Sequence, residues 1–392
     1  MEKRIWDQVE AILNSGASLG MALTGGGSEL ASWLLNHPGA SRAMVEVQVP
    51  YHEQALQAYL GTPGPHRVEE ETGRAMAARA FARTRAFVGD ENRAVGLGCT
   101  AALATKRVRR GEDRACVVVR KTDEYRFYKI GFEKGATGRL EQEHALSRFA
   151  LHVLAQACGA NHIDAEEWPD YMEISTQTIP VDEPLEQLLW GEVQVVEMQL
   201  DGRLSTTVMR RDRLLFPGSF NPLHQGHLEL ASAAQELSGR PLCLEISVDN
   251  VEKPSLAYSE VLCRLDQLKG HFPVVVGRAA TFVEKVRLFP GSWFVIGYDT
   301  AVRLFEAKYY EGGEAGREKA LGEILTTSSR FLVAGRLYKG CYKILKDVDV
   351  AAKYRPLFEA IPESIFRRDI SSTEIRERGK SPKIKFTKAV ER

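Results

Sequence analysis

An excess of charge of either sign is missing from this sequence: 52 Lys and Arg balance 52 Asp and Glu over 392 residues. With no net field, nothing global draws the chain to nucleic acid or to an anionic membrane, and neither is expected as a partner. Long apolar runs are also missing; no stretch approaches the roughly 20 residues that a membrane-spanning helix needs. The first residues, MEKRIWDQVEAIL, read as an amphipathic helix, with neither the apolar stretch nor the cleavage pattern of a secretion signal. Cysteines are few and scattered, at 99, 116, 158, 243, 263 and 341, and no C-x-x-C occurs. A disulfide scaffold and a thiolate zinc site are therefore not expected, no metal is assigned to the protein's own side chains, and a reducing, cytoplasmic compartment fits best. No G-x-x-x-x-G-K-[ST] occurs, which excludes a Walker-type phosphate loop.

What is present is an ordinary globular composition, 44% hydrophobic and 27% charged, in a length that suits two domains. Residues 1–20 read as helical, followed by a Gly-rich turn at Thr24 that opens a second helix. The segment 45–51 alternates like a strand, 53–61 and 71–89 are helices stopped by Gly, and 93–105 is a buried strand. Residues 114–121 and 125–132 predict a hairpin, and 139–159 a long closing helix. This α/β module spans 1–163. Residues 164–211 are less regular and read as a connecting subdomain with a hairpin at Asp201-Gly202. From 212 to 392, compact apolar runs (RLLFPGSF, CLEISV, PVVVG, WFVIG, RFLVAG) are spaced by helical segments. That alternation predicts a doubly wound, Rossmann-like parallel sheet. The basic end, RERGKSPKIKFTKAVER, is expected to be a solvated or loosely docked tail.

The stretch richest in chemistry is Gly218-Ser219-Phe220-Asn221-Pro222-Leu223-His224-Gln225-Gly226-His227. It leaves a strand and enters a helix. Gly218 lets backbone approach a phosphate, and the helix start near His224 aims free N–H groups and a positive dipole end at the same place. His224 and His227, three apart, share a helix face and can donate hydrogen bonds to phosphoryl oxygens without a metal. Later, Ile370-Ser371-Ser372-Thr373-Glu374-Ile375-Arg376 offers capping hydroxyls one turn before a guanidinium fork suited to phosphate; alone, it also reads as a plain capping box with a surface arginine.

At these two segments the chain resembles nucleotidyltransferases of the HxGH type, most closely the nicotinate/nicotinamide-mononucleotide adenylyltransferases. The resemblance spans roughly residues 212–380, with the motifs in the family's order and about 150 residues apart. Gly297-Tyr298-Asp299 looks like the family's G-x-D at the end of an inner strand. The resemblance implies that Gly218, Ser219, Phe220, Asn221, His224 and His227 hold the triphosphate of ATP, and that Ser371, Ser372, Thr373 and Arg376 clamp its outer phosphates. It also implies that Gly297 and Asp299 lie near the nucleotide or its Mg²⁺, and that Lys253 and Arg264 lie near the phosphates or acceptor. The chemistry implied is in-line attack by the acceptor's phosphate on the α-phosphorus, with release of pyrophosphate. Residues 281–310 depart from the aromatic pattern with which the family grips the nicotinamide ring.

In the N-terminal module, Thr24-Gly25-Gly26-Gly27-Ser28 before a helix reads either as an anion nest or nucleophile elbow, or as a plain helix-entry loop. With Pro38-Gly39-Ala40-Ser41 and Val49-Pro50-Tyr51, residues of about 10–160 resemble the CinA C-terminal family of nicotinamide-nucleotide amidases. Thr24 stands at the family's nucleophilic Ser, Gly25 and Gly26 replace its Cys and Thr, and Leu56 stands where the family has an assisting Lys. The resemblance thus implies the fold without an equipped nucleophile. The turn could still hold a mononucleotide, and the module is expected to bind a ligand or to assemble the chain into a homo-oligomer. Three alternatives stay open: another phosphorylated acceptor or CTP as donor, a non-enzymatic nucleotide sensor, and a bifunctional enzyme using Thr24.

Overall fold

The computed structural model describes residues 3–62, 64–105, 110–160, 167–250, 255–338 and 341–368. The chain divides into two compact units, Met1–Val181 and Asp182–Arg392.

The first unit contains α1 (Lys3–Asn14), β1 (Ser18–Thr24), α2 (Ser28–Asn36), β2 (Met44–Gln48), α3 (Glu53–Leu60) and α4 (Glu70–Val88). It continues with β3 (Ala94–Ala102), β4 (Asp113–Arg120), β5 (Glu124–Phe132), α5 (Arg139–Ala157) and β6 (Met172–Pro180). Its six-stranded sheet has the order β2-β1-β3-β4-β5-β6, parallel from β2 to β3 and antiparallel from there. The expected helix over 1–20 is corrected here: α1 ends at Asn14 and Ser18–Thr24 is an inner strand. Buried on both faces, β1 shows no alternation, the pattern by which half-exposed strands are recognised. On one face α1, α2 and α5 bury Val9, Ile12, Leu30, Leu34, Leu146 and Phe149. On the other face α4 lies against glycines. A Cβ on Gly96 would sit 2.2 Å from the Ala77 carbonyl oxygen, and one on Gly98 would sit 2.3 Å from that of Gly73. Both obstacles are helix backbone, which cannot swing aside. Gly96→Ala is therefore expected to destabilise by about 1–3 kcal/mol through overpacking. A denaturant midpoint unchanged from wild type would show that α4 has room to lift.

The second unit contains α6 (Glu183–Trp190), β7 (Val195–Met198), β8 (Leu204–Ser205), β9 (Leu214–Pro217), α7 (Gln225–Ser238), β10 (Leu242–Ser247), α8 (Tyr258–Asp266), β11 (Val274–Gly277) and α9 (Phe282–Leu288). It continues with β12 (Trp293–Gly297), α10 (Tyr298–Arg303), α11 (Gly313–Thr326), β13 (Arg330–Ala334), a small hairpin β14 (Arg336–Tyr338) and β15 (Cys341–Lys343), and β16 (Phe358–Ala360). The main sheet runs β16-β13-β12-β9-β10-β11-β7-β8. From β11 to β16 every pairing is parallel. Counted in chain order, those six strands read 3-2-1-4-5-6, the doubly wound arrangement. The order reverses between β9 and β12, the place at whose carboxyl ends doubly wound sheets bind their ligands.

The separate connecting subdomain expected over 164–211 is divided between the two units. β6 pairs with β5 along its whole length and extends the first sheet. In the hairpin around Asp201-Gly202, β7 pairs antiparallel onto β11 and β8 onto β7, and β7 buries Val195, Val196 and Met198. A strand that joins a sheet satisfies its backbone there, so this segment has no core of its own to form. Among the described residues no helix is long and apolar enough to cross a membrane, and all six cysteines are free.

Candidate active site at the strand-order reversal

β9 ends at Pro217, and the chain turns through residues 218–223 into α7. The first expectation to change concerns Gly218. Its N–H is donated to the Glu245 carbonyl of β10 at 2.9 Å, so it is not a free donor for a triphosphate. What Gly218 provides is space, since a Cβ there would lie 2.7 Å from the ring of Phe220. Phe220 is fully buried and adopts a positive φ of 43°, an uncommon conformation for an aromatic residue that its packing must offset. Its ring meets Phe216 and His227 edge-on, at 5.5 and 5.1 Å. Ser219 and Asn221 lie on the exposed side of the turn.

His224 is the N-cap of α7. Its imidazole stacks on that of His227 at 3.7 Å, with 20° between the planes. The His224 N–H is donated to His227 Nδ1 at 3.3 Å. A neutral imidazole that accepts at Nδ1 carries its proton on Nε2, so His227 presents an Nε2–H donor. Both rings are held neutral. Burial, then the neighbouring His224 and the Arg336 guanidinium, push His227 down to about 3. Burial and Arg336 also lower His224. Gly226 lies beneath, where a Cβ would come within 3.2 Å of His224 Nδ1. That nitrogen is buried and has no hydrogen-bond partner among the described residues.

Across the reversal, Gly297 caps α10 and Asp299 stands in its first turn. A Cβ on Gly297 would fall 2.8 Å from Asp299 Oδ1, so the glycine lets the carboxylate fold back over the strand end. Both Asp299 oxygens accept from Arg336 Nη1 at 3.1 Å. Sequence reasoning missed Arg336. It stands two residues past the end of β13, and the one available signal is its place just beyond the apolar run FLVA, at the carboxyl end of a parallel strand.

Arg264 lies against the turn itself. It is buried, donates to the Ser219 carbonyl at 3.1 Å, and pairs with Glu260 one helical turn away. The guanidinium thus supports the turn through the Ser219 carbonyl. Lys253, Ser371, Ser372, Thr373 and Arg376 lie outside the described residues. Arg368 pairs with Glu229 of α7 at 2.5 and 2.8 Å.

In the first unit the anion nest expected at Thr24–Ser28 is filled from within. The Glu143 carboxylate of α5 accepts from the N–H groups of Gly27, Ser28 and Glu29 at 3.0, 2.6 and 3.3 Å, and from the Ser28 hydroxyl at 2.8 Å. Donors that would bind a phosphate thus already hold a buried carboxylate. Gly25 is needed for close approach: its φ is +79°, and a Cβ would lie 1.9 Å from the Ala101 carbonyl oxygen. Gly26 packs beneath Leu103 and Leu146. Thr24 is half-buried, and Leu56 is sealed in a small apolar cluster with Ala22 and Met76.

The cytidylyltransferase-like family matches residues 215–378. A probable nicotinate-nucleotide adenylyltransferase from Gloeobacter violaceus is 29% identical over 174 residues, covering 42% of this chain and 81% of the relative. Among solved structures, the competence/damage-inducible protein CihA of Agrobacterium tumefaciens is similar, with 19% identity over 41% of this chain and 98% of its own, at a TM-score of 0.35. A CinA superfamily protein of Escherichia coli is similar at 18% identity, 40% and 89% coverage, and a TM-score of 0.34. Residues 215–378 are thus a cytidylyltransferase-like domain, and this part of the chain is an enzyme of the nucleotidyltransferase class.

Proposed function

We propose that the second unit transfers the AMP moiety of ATP to a pyridine mononucleotide, nicotinate or nicotinamide mononucleotide, and releases pyrophosphate. The observation that carries this reading is the meeting of two neutral imidazoles at a helix N-terminus with Arg336 and Asp299 across the strand-order reversal. The likeness to the probable nicotinate-nucleotide adenylyltransferase of Gloeobacter supports the acceptor. An oxygen of the acceptor phosphate attacks the α-phosphorus in line, a new P–O bond forms, and the bond to the β-bridging oxygen breaks as pyrophosphate leaves. The protein supplies no nucleophile. The Nε2–H of His227 and the His224 ring donate to oxygens whose charge grows as the α-phosphorus is attacked. Arg336 neutralises phosphate charge, as does Arg376 with Ser371, Ser372 and Thr373 in the family's late motif. ATP enters as its Mg²⁺ complex; such an ion, held largely by phosphate oxygens and water, needs only one or two carboxylates. Asp299 is the candidate.

A cavity of about 370 Å³ beside Asp299 suits the acceptor. Arg303, Lys308 and Arg336 line it with cations for a phosphate, against the carboxylates of Asp299 and Glu306 that pair with Arg336 and Lys308, and Tyr309 and Tyr338 offer ring faces for an aromatic base. Pyrophosphate release with ATP or CTP against a panel of phosphorylated acceptors tests the reading. Turnover with ATP and a pyridine mononucleotide is expected. Turnover with CTP, as the family's name suggests, would reassign the donor. ATP binding without turnover on any acceptor would identify a sensor.

The first unit, on this reading, has no amidase activity. Thr24 has a hydroxyl, but Leu56 can take no proton, and Glu143 occupies the donors that an oxyanion would need. Full-length protein incubated with nicotinamide mononucleotide is expected to release no ammonia above blank. Release that disappears in Thr24→Ala would restore the bifunctional alternative.

A further inference from the structure

One side chain braces the phosphate turn from behind. Gln267, the residue that ends α8, accepts from the Leu223 N–H at Oε1, 3.0 Å away, and donates from Nε2 to the Phe220 carbonyl at 2.7 Å. At neutral pH a primary amide offers a donor and an acceptor side by side on one planar group, which an ionised carboxylate does not. The two backbone groups it bridges bracket Asn221-Pro222, and Leu223 adjoins His224. Pro222 has no N–H to give, and Phe220 sits at a φ of +43°. A turn so constrained needs its ends tied from outside to keep one shape. The His224 ring begins at the next residue and has no partner of its own at Nδ1 among the described residues, so its position follows that of the backbone.

We propose that Gln267 is a positioning residue of the transfer reaction. By clamping Phe220 to Leu223 it sets where the stacked imidazoles of His224 and His227 stand against the triphosphate. This rests on the reading of those imidazoles given above. A displacement of about 1 Å in a group that must meet a transition state costs up to about 10²-fold in rate.

Two variants and two measurements test it. Gln267→Met keeps length and volume but neither hydrogen bond. It is expected to lower kcat/KM per folded molecule by about 10- to 100-fold, mostly in kcat, and to lower the melting temperature by several degrees, because two buried backbone groups lose their partner. Amide exchange at Leu223 should rise by at least about tenfold, because its N–H loses its acceptor. Gln267→Glu keeps the acceptor but has a donor only when protonated. Its kcat/KM relative to wild type should therefore climb as pH falls toward 5, which a merely structural role would not produce. Unchanged exchange at Leu223 in Gln267→Met overturns the brace. Faster exchange with unchanged kcat/KM per folded molecule overturns the positioning role. A wild-type protein that transfers nothing overturns the functional reading and Gln267's catalytic role with it, and the exchange measurement separates that failure from failure of the brace.

Discussion

Replacing His224 with alanine should lower kcat for pyrophosphate release by about 10²- to 10³-fold, the usual cost of removing one donor aimed at developing charge. Binding of ATP should change far less. The asymmetry follows from the site. His224 is 5% exposed, neutral, and stacked on a second neutral ring. A neutral donor binds a ground-state triphosphate weakly compared with a cation, so its contribution grows as charge accumulates on the α-phosphate oxygens. The helix cap is not lost with the side chain, because the His224 carbonyl accepts from His227 N–H and the His224 N–H still reaches His227 Nδ1. Single-turnover rates together with direct ATP binding measure both quantities. A kcat within a few fold of wild type would leave the imidazole with a packing role only.

Removing the guanidinium of Arg336 is expected to have the second largest effect. A hydrogen bond to a charged group contributes about 1.5–3 kcal/mol, so Arg336→Ala should lower kcat/KM by about 10- to 150-fold. Most of the loss should fall on KM, since a fixed cation attracts phosphate in the ground and transition states alike. Arg336→Lys should recover part of it, because an ammonium keeps the charge but not the fork that meets two oxygens. A second readout is independent of turnover. Burial is the larger cause of the low His224 and His227 values, and Arg336 adds to it through its charge. Without that charge both imidazoles should titrate at higher pH, while burial still keeps them below the ordinary histidine value. The sign matters for acid stability. A histidine with a lowered folded value destabilises the fold as pH drops below about 6.5, where the unfolded chain takes up the proton first. Arg336→Ala should therefore narrow the window of acid sensitivity. Unmoved His resonances across a pH titration would mean that Arg336 stands too far away to act on the imidazoles.

Much of the second unit could be read in advance, for a physical reason. Parallel strands are covered on both faces and appear as short apolar runs, so LLFP, LCLEIS, VVVG, WFVIG and RFLVA stand out in one dimension. The glycines and histidines of residues 218–227 act on near neighbours: Gly218 makes room for Phe220, and His224 pairs with His227. Their meaning is contained in their spacing. β1 is equally apolar and buried on both faces, yet it does not stand out. Its apolar residues follow directly on an amphipathic helix, and only the sheet reveals that they are extended.

The sequence by itself determined the local pieces: a strand, a tight turn and a helix start bearing paired imidazoles, and a Gly-rich turn with Leu56 in place of an assisting lysine. Tertiary structure decided which distant groups meet them. Arg336 reaches Asp299 from 37 residues away, and Glu143 fills the α2 N-terminus from 115 residues beyond Ser28. Strand order places the carboxyl ends of β9 and β12 side by side, though a whole half of the doubly wound sheet separates them in sequence. An ion pair or a capped helix end requires a donor and an acceptor about 3 Å apart. Residue types and spacing say which groups are available, and only the packed chain sets that distance.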